Sequence, residues 1–267
     1  MKASAQLPSV AWDPAFADRN PAFAPLRRFA GALDAGQFPD QAALQALMHG
    51  AALPLRIVDE DASTQNYEMR VHRGAEMVCR KQSWHDLFNV LVWCAFPRAK
   101  AALNECHVHT MVHEPAGTRG RLRDALTQFD EDGVLVLSAE PDLLESLLAF
   151  RWKDVFWHNR NRATRGLQFI VFGHALYEKL LRPFRGLTGK ALLMRVDPDV
   201  LQVPLQQQLE ICDRYVAGQC RQLNDPQQLH PLPVLGIPGW YAANTRADFY
   251  DDAGYFRSGR RAEPSET

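Results

Sequence analysis

The strongest constraint on the fold is an uninterrupted apolar run at residues 90–96. It continues a helical pattern that begins after Ser83, whose side chain can cap the first turn while Asp86, three places on, reaches back. A helix that is apolar on every side must be buried on every side. The sequence therefore predicts a central buried helix that ends at Pro97, where a second helix starts and continues to His113.

Around this helix the patterns predict a single α+β domain. Short β-type runs at residues 67–71 and 76–79, and again at 125–129 and 134–137, flank turn-forming residues and predict two β-hairpins. Residues 191–196 predict one further strand. Helical spacing predicts helices at residues 41–48, 141–150, 167–181 and 200–220. The expected fold is thus a mainly helical body with two short hairpins and one further strand.

The length of 267 residues and the 46% hydrophobic content are enough for one undivided core. We expect an N-terminal arm laid over the surface and a C-terminal strap that must be ordered, because its apolar side chains would otherwise form an exposed patch. The predicted segments are an arm at 1–25, an α+β core domain at 26–228, and a Pro/Gly-rich strap and tail at 229–267.

The charge balance limits the classes of partner. Lys and Arg number 30 against 31 Asp and Glu, a net charge of -1, which disfavours nucleic acid or an anionic membrane as a whole-surface partner. No apolar run is long enough to predict export or a membrane span. The five cysteines are an odd number, which fits a reducing compartment, so we predict a cytoplasmic protein. The oligomeric state stays open.

Six motifs in one order resemble a bacterial family, domain of unknown function 3025. They are YEMR at 67–70, WHDLFN at 84–89, FPRAKAALN at 96–104, FDE at 129–131, GHALYE at 173–178 and PLPVLGIPGW at 231–240. The resemblance extends from about Ala30 to Arg261. It implies no established activity, substrate or cofactor, so it assigns no role to any residue.

Polar residues on the two central helices are the candidate catalytic groups. His85 and Asn89 are four residues apart and share one helix face. Lys100, Asn104 and His107 form a stripe on the next helix, which faces His85 if the two helices fold back at the intervening proline. We interpret His85, Asn104 and His107 as catalytic candidates. The alternative is a hydrogen-bonded network at the core edge that orients the helices.

His174 and Glu178 also share a helix face, and this spacing can supply two ligands to a divalent metal. The preceding Gly173 would let another helix approach closely. A metal needs further ligands, for which His85, His107 and Asp130 are the candidates. The alternative is a histidine–glutamate hydrogen bond within a helix-packing seam.

Two loops carry closely spaced arginines, at 119–123 and 160–165. Guanidinium groups bind phosphate or carboxylate through paired hydrogen bonds, so Arg121, Arg123 and Arg162 are candidates for holding a cofactor or an anionic small molecule. The alternative is a pair of solvated loops. The chain has no phosphate-binding P-loop, dinucleotide-binding glycine motif, nucleophile elbow or C-x-x-C pair.

Two hypotheses about function follow. The first is a hydrolase for a small molecule or a phosphoester, with a polar His/Asn/Glu cleft and a possible dependence on metal. The second is a non-catalytic binding or regulatory module whose strap presents an aromatic docking surface around Trp240. The sequence does not decide whether the chain is an enzyme, and clustering of the polar candidates would favour the first hypothesis.

Overall fold

The computed structural model describes residues 10–61, 66–114 and 120–259, which form a mixed α+β fold. The helices are α1 Arg27–Ala30, α2 Gln41–Gly50, α3 Tyr67–Gly74, α4 Trp84–Ala95, α5 Pro97–His113, α6 Arg121–Asp132, α7 Pro141–Leu148, α8 Arg160–Gly166, α9 His174–Leu181 and α10 Leu205–Gln219. The strands are β1 Arg56–Val58, β2 Glu76–Val78, β3 Gly133–Ser138, β4 Leu167–Val171, β5 Thr188–Arg195 and β6 His230–Pro233. Within this described part, no helix is both long and apolar enough to traverse a lipid bilayer.

A four-stranded sheet of order β4-β3-β5-β6 forms the centre of the domain. Strand β3 pairs antiparallel to β4 and parallel to β5, and β6 pairs antiparallel to β5. Every residue of β3 is buried, as expected for a central strand covered on both faces. Strands β1 and β2 form a separate parallel pair.

Helix α4 is the buried helix that the apolar run predicts. Ser83 caps it by accepting a hydrogen bond from the backbone N–H of Asp86 at 3.2 Å. Its C-terminal half is buried, with Ala95 only partly so. The next helix, α5, starts at Pro97 as predicted, and the side chain of Asp213 on α10 accepts hydrogen bonds from its first free N–H groups. The two central helices and their boundary are therefore confirmed.

The described part of the N-terminal arm is a component of the core. Phe16 and Phe23 are 0% and 1% exposed. Phe16 packs edge-on against Trp84 and Phe88 of α4, with ring centroids 5.3 and 5.4 Å apart. The expected arm is thus pinned to the domain by its aromatic side chains, and in its described part these rings fill the aromatic cluster beside α4.

The C-terminal strap is packed against the domain, as predicted. Its first residues form β6, in which two prolines are tolerated because this strand lies at the sheet edge. Leu232, Leu235 and Trp240 are all buried. Trp240 packs on Phe169 of β4 at 6.3 Å, so the strap does not present it as an aromatic docking surface.

A set of polar side chains, which we call the strap network, fixes the strap. It comprises Arg160, Asn244, Tyr250 and Tyr255. The Asn244 amide donates to the carbonyl oxygens of Leu235 and Ile237, at 2.9 and 2.7 Å. Tyr250 and Tyr255 donate to backbone carbonyls as well, and Arg160 donates to the side-chain oxygen of Asn244. The network thus supplies partners for backbone that forms no regular structure.

The two predicted hairpins are wrong, although the α+β class is confirmed. Residues 67–71 belong to α3, which is capped by the side chain of Asn66. Residues 125–129 belong to α6, where Leu122, Leu126 and Phe129 recur at helical spacing and pack inward. In both places burial of one helix face outweighs local β-propensity, and the second strand of each predicted hairpin pairs elsewhere.

One predicted helix is also only half right. Residues 167–171 are strand β4, and the helix α9 begins at His174 after Gly173. The first half of this segment has strand propensity, whereas its continuation through Tyr177 and Glu178 has helical spacing. The pairing of β4 with β3 decides the outcome, and it is a contact that the local pattern does not reveal.

Candidate functional site

A polar cavity of about 390 Å³ lies where α3, α4, α5, α6 and α9 meet. Apart from Val78, every lining residue carries a polar or ionisable side chain. The lining residues are Glu60, Asp61, Tyr67, Glu68, Arg70, Val78, Arg80, His85, Asp86, Asn89, His107, Thr127, Asp130, Glu131 and His174. Buried polar clefts with convergent titratable groups are characteristic of active and binding sites.

A row of hydrogen bonds, which we call the cavity network, crosses one wall. Oε2 of Glu178 lies 3.3 Å from Nδ1 of His85. Nε2 of His85 lies 3.1 Å from Nε2 of His174, whose Nδ1 lies 2.7 Å from the carbonyl oxygen of Asp130. Helices α4, α6 and α9 therefore bring together groups that are 44 to 93 positions apart in the chain.

The positions of the protons in this network follow from its last hydrogen bond, between His174 and the carbonyl oxygen of Asp130. A carbonyl oxygen can only accept, so Nδ1 of His174 carries the proton that it donates to Asp130. Burial lowers the pKa of His174 to about 3, so the ring is neutral and its Nε2 is an acceptor. His85 must then donate from Nε2 to His174. Its Nδ1 and Oε2 of Glu178 share one further proton across their contact.

A glycine makes this geometry possible. A Cβ atom added at Gly173 would lie 2.4 Å from the backbone of both Glu131 and Gly133, closer than any real Cβ contact. Without a side chain there, α9 begins directly against the end of α6 and His174 reaches Asp130. The expectation that Gly173 permits close helix approach is confirmed.

On the inner side of the cavity a buried lysine balances the acidic side chains. Lys100, only 4% exposed, pairs with the carboxylate of Asp130, and its ammonium lies 5.7 Å from the ring centre of Trp93. Burial disfavours the charged form of Asp130, but the charge of Lys100 and its hydrogen bond to this carboxylate outweigh burial and lower the pKa of Asp130. Asp130 is therefore an anion that both orients His174 and neutralises Lys100.

A second carboxyl in the cavity behaves in the opposite way. Burial, together with the nearby charge of Asp130, raises the pKa of Glu68. Its Oε2 accepts a hydrogen bond of 2.7 Å from the amide of Asn104. The Asn89 amide donates to the Tyr67 hydroxyl at 2.8 Å. Two carboxyls with pKa values shifted in opposite directions are an arrangement that suits acid–base chemistry.

Residues 55–260 match the family model described as "Protein of unknown function (DUF3025)". The match covers more than half of the chain. The chain belongs to the DUF3025 family.

All residues that line the cavity fall inside the part of the DUF3025 chain that matches the family. The described part of the N-terminal arm precedes it. No curated protein and no solved structure matches the chain.

The three catalytic candidates come together in the DUF3025 chain. His85 and His107 line the cavity, and Asn104 binds Glu68 in its wall. Lys100 completes the predicted stripe on α5 and faces the same region. The predicted fold-back of the two central helices is confirmed by these contacts.

The predicted metal ligands are close to each other but not in contact. His174 and Glu178 each touch the ring of His85, which lies between them. Among residues 10–61, 66–114 and 120–259, no three His, Cys, Asp or Glu side chains are arranged to hold a metal ion. The divalent metal stays a prediction, and the geometry instead favours the alternative of a hydrogen-bonded network.

The predicted arginine site does not coincide with the cavity. Arg121 pairs with Asp225, Arg123 pairs with Glu114, and Arg162 pairs with two acidic residues near the start of α7. None of these three lines the cavity. Arg119 lies outside the described residues. Binding of a cofactor or anion by these arginines stays a prediction without support from this site.

Sequence reasoning missed several residues of the site. Tyr67, Glu68 and Arg70 were assigned to a strand, so their convergence on one end of a helix was not foreseen. The signal that could have found them is Asn66, a strong helix-capping residue directly before Tyr67. Glu131 was assigned to a turn but lies in the last turn of α6, beside Asp130.

Proposed function

We propose that the protein is a hydrolase for a small polar molecule, with His85 as its proton donor. The observation that supports this is the cavity network. His85 is 35% exposed at the wall of a polar cavity, and its hydrogen bonds call for a proton on Nε2 and a second proton between Nδ1 and Glu178. A fixed imidazole with a transferable proton is the usual general acid of hydrolytic enzymes.

Glu68 is the group that would activate water. Its carboxyl lies in the same cavity and its pKa is raised by burial and by Asp130, which brings a carboxyl closer to the range of an effective base. In the proposed reaction Glu68 removes a proton from water and the water oxygen bonds to the substrate. The bond to the leaving group then breaks as that group takes the Nδ1 proton of His85 in place of Glu178. Glu178 is a positioning residue that orients the ring of His85.

The lining favours a neutral or cationic substrate over a phosphoester. Six carboxyl side chains line the cavity, against two guanidinium groups. Both guanidiniums are already paired, Arg70 with Asp61 and Glu76, and Arg80 with Asp86. Removing phosphate from water beside this many carboxylates would be costly. The anionic substrate expected from the sequence therefore has no support in this cavity.

Steady-state hydrolysis tests the proposal. The probes are p-nitrophenyl acetate, an anilide of a neutral amino acid and p-nitrophenyl phosphate, each with the purified full chain. We expect turnover of an ester or amide, and a fall in kcat of roughly 100-fold or more in His85→Asn and in Glu68→Gln. His113→Asn is the matched control, because this histidine is exposed at the end of α5 and should retain full activity.

Nuclear magnetic resonance of the histidine ring nitrogens tests the proton positions without a substrate. We expect both ring nitrogens of His85 to be protonated, and His174 to carry a proton on Nδ1 only. A proton on Nε2 of His174 would contradict the assignment, since that nitrogen could not accept from His85. Loss of the second His85 proton in Glu178→Gln would support the positioning role of Glu178.

The binding-module hypothesis loses its specific basis, because Trp240 is buried. The same cavity could still bind a ligand without converting it. A small molecule that binds the wild-type chain and His85→Asn equally, with no turnover by either, would replace the hydrolase proposal with that one.

We also propose the cytoplasm, a reducing compartment, as the location of the chain. All five cysteines are free and buried, which supports the prediction from their odd number.

A further inference from the structure

Two of the buried thiols face each other where α5 packs against the end of α10. Cys106 is on α5 and Cys220 directly follows α10, and their Sγ atoms are 3.2 Å apart. A disulfide has an S–S length of about 2.05 Å, so bond formation needs an approach of roughly 1 Å, within reach of small side-chain rotations. We propose that Cys106 and Cys220 are a modification site, where a peroxide forms a reversible disulfide between the two helices. This proposal does not rest on the proposed function.

The surroundings of the two thiols favour reaction over inertness. Arg221 and Glu105, the chain neighbours of the two cysteines, form an ion pair of 3.1 Å, and both are well exposed. The two cysteines are 5% and 3% exposed and lie beside this solvated ion pair, from which a small oxidant can approach. The hydrogen bond between the two thiols lowers the pKa of Cys106 and raises that of Cys220, and the guanidinium of Arg221 also favours the Cys106 thiolate. A thiolate is the reactive form, so Cys106 is the attacking group.

The other cysteines provide a contrast within the same chain. Burial raises the pKa of Cys79, Cys94 and Cys212 to about 12. Buried thiols of this kind are chemically inert. Oxidation should therefore be confined to one pair.

The reaction balances with a peroxide as the oxidant. The Cys106 thiolate attacks one oxygen of hydrogen peroxide, the O–O bond breaks, and the products are a sulfenic acid and, after proton uptake, water. The thiol of Cys220 then attacks the Cys106 sulfur, the S–O bond breaks, and the hydroxyl leaves as a second water. Overall, two thiols lose two hydrogens and hydrogen peroxide is reduced to two waters. A dithiol reductant reverses the change.

The consequence would be a covalent link between α10 and a helix that forms part of the cavity wall. Cys106 directly precedes His107, which lines the cavity. The two cysteines are separated by 114 positions, so the link closes a long loop of the unfolded chain. Closing a loop of this length should raise the melting temperature, by at least about 5 °C.

Oxidation of the full-length protein with hydrogen peroxide, followed by peptide mapping, tests the proposal. We expect a single cross-linked peptide pair containing Cys106 and Cys220, an intact mass about 2 Da lower, and full reversal by dithiothreitol. Cys106→Ser and Cys220→Ser should each abolish the cross-link and the rise in melting temperature. Cys94→Ala is the matched control and should retain both.

Peptide mapping of the wild-type chain needs no variant, so the test stands even if a cysteine variant folds poorly. Three results would overturn the proposal. They are alkylation of both Cys106 and Cys220 after peroxide treatment, conversion of Cys106 to a sulfinic acid without cross-linking, or a cross-link that lowers the melting temperature.

Discussion

The strap network and the cavity network are both buried polar clusters, yet their members bind different kinds of partner. In the strap network the hydrogen bonds go mainly to backbone carbonyls, and Asn244 at its centre is 0% exposed. In the cavity network, side chains bind other ionisable side chains, and the row of bonds borders a cavity.

The two regions also differ in whether their buried polar atoms all have hydrogen-bond partners. Both carbonyls at the Asn244 amide have a donor, and its side-chain oxygen accepts from Arg160. In the cavity the side-chain oxygen of Asn89 is buried with no hydrogen-bond partner among the described residues. A fully satisfied network stabilises the fold, whereas a network with spare hydrogen-bonding capacity next to a cavity is arranged for a ligand. We infer that the first network is scaffold and the second is a site.

The largest expected difference between the two networks is in how acidic pH changes their contribution to the free energy of unfolding. The unfolded chain protonates a histidine below about pH 6.5, while folded His174 has its pKa lowered to about 3 by burial. The free energy of unfolding should therefore fall as the pH falls from about 6.5 towards 3. Replacing His174 should make the decrease in the free energy of unfolding over this pH range smaller by roughly 4 kcal/mol. Denaturant titrations of wild type and His174→Gln across this range measure the difference.

His72→Gln is the control for the acid prediction, because His72 is exposed on α3 and should leave the wild-type slope intact. Parallel stability curves for wild type and His174→Gln would show that His174 is not held neutral in the fold.

The next largest effect is expected in the strap network. Asn244→Ala should lower the free energy of unfolding by roughly 3 kcal/mol, because it removes three hydrogen bonds, two to buried backbone carbonyls and one from Arg160. Thr245→Ala is the neighbouring control. The Thr245 hydroxyl makes an exposed hydrogen bond, so the variant should change stability by less than roughly 0.5 kcal/mol. Similar free energies of unfolding for the two variants would show that the strap network does not stabilise the fold.

A matched pair of hydroxyl deletions compares the networks directly. The Tyr255 hydroxyl donates to Leu187 and accepts from the backbone N–H of Leu235, at 2.6 and 3.0 Å. Tyr255→Phe should cost roughly 1.5 to 2 kcal/mol of stability. Tyr67→Phe should cost roughly 0.5 kcal/mol, since the Asn89 amide borders the cavity and can bind water instead. Thermal and denaturant unfolding measure the loss of stability in both variants. A larger loss in Tyr67→Phe than in Tyr255→Phe would contradict the assignment of the strap network as scaffold.

The smallest stability effect is expected where the site is most open. The Glu178 side chain is 34% exposed, and Gln at this position still offers an oxygen to His85. Glu178→Gln should change the free energy of unfolding by less than roughly 0.5 kcal/mol, no more than Glu145→Gln on the exposed side of α7. If the Glu178 variant alone unfolds at a markedly lower denaturant concentration, Glu178 is a scaffold residue.

Much of the candidate site could be predicted because its signals are local. The cap at Ser83, the apolar run and the proline after it define two helices, and the spacing of Asn104 and His107 places both on one face. The structure confirms that this face meets the end of α4 that carries His85. Helix periodicity and capping depend on residues within a few positions of each other, so the sequence by itself determined them.

The tertiary structure alone decided the remaining features. Whether residues 67–71 and 125–129 became helix or strand depended on the surfaces that buried them, and this placed Glu68 in the cavity and made Asp130 the partner of His174. The contact between His85 and His174 joins residues 89 positions apart. It exists because α9 can begin against α6 at Gly173, where a side chain would collide with the backbone. Contacts of this range arise from packing of whole elements, which local propensity does not encode.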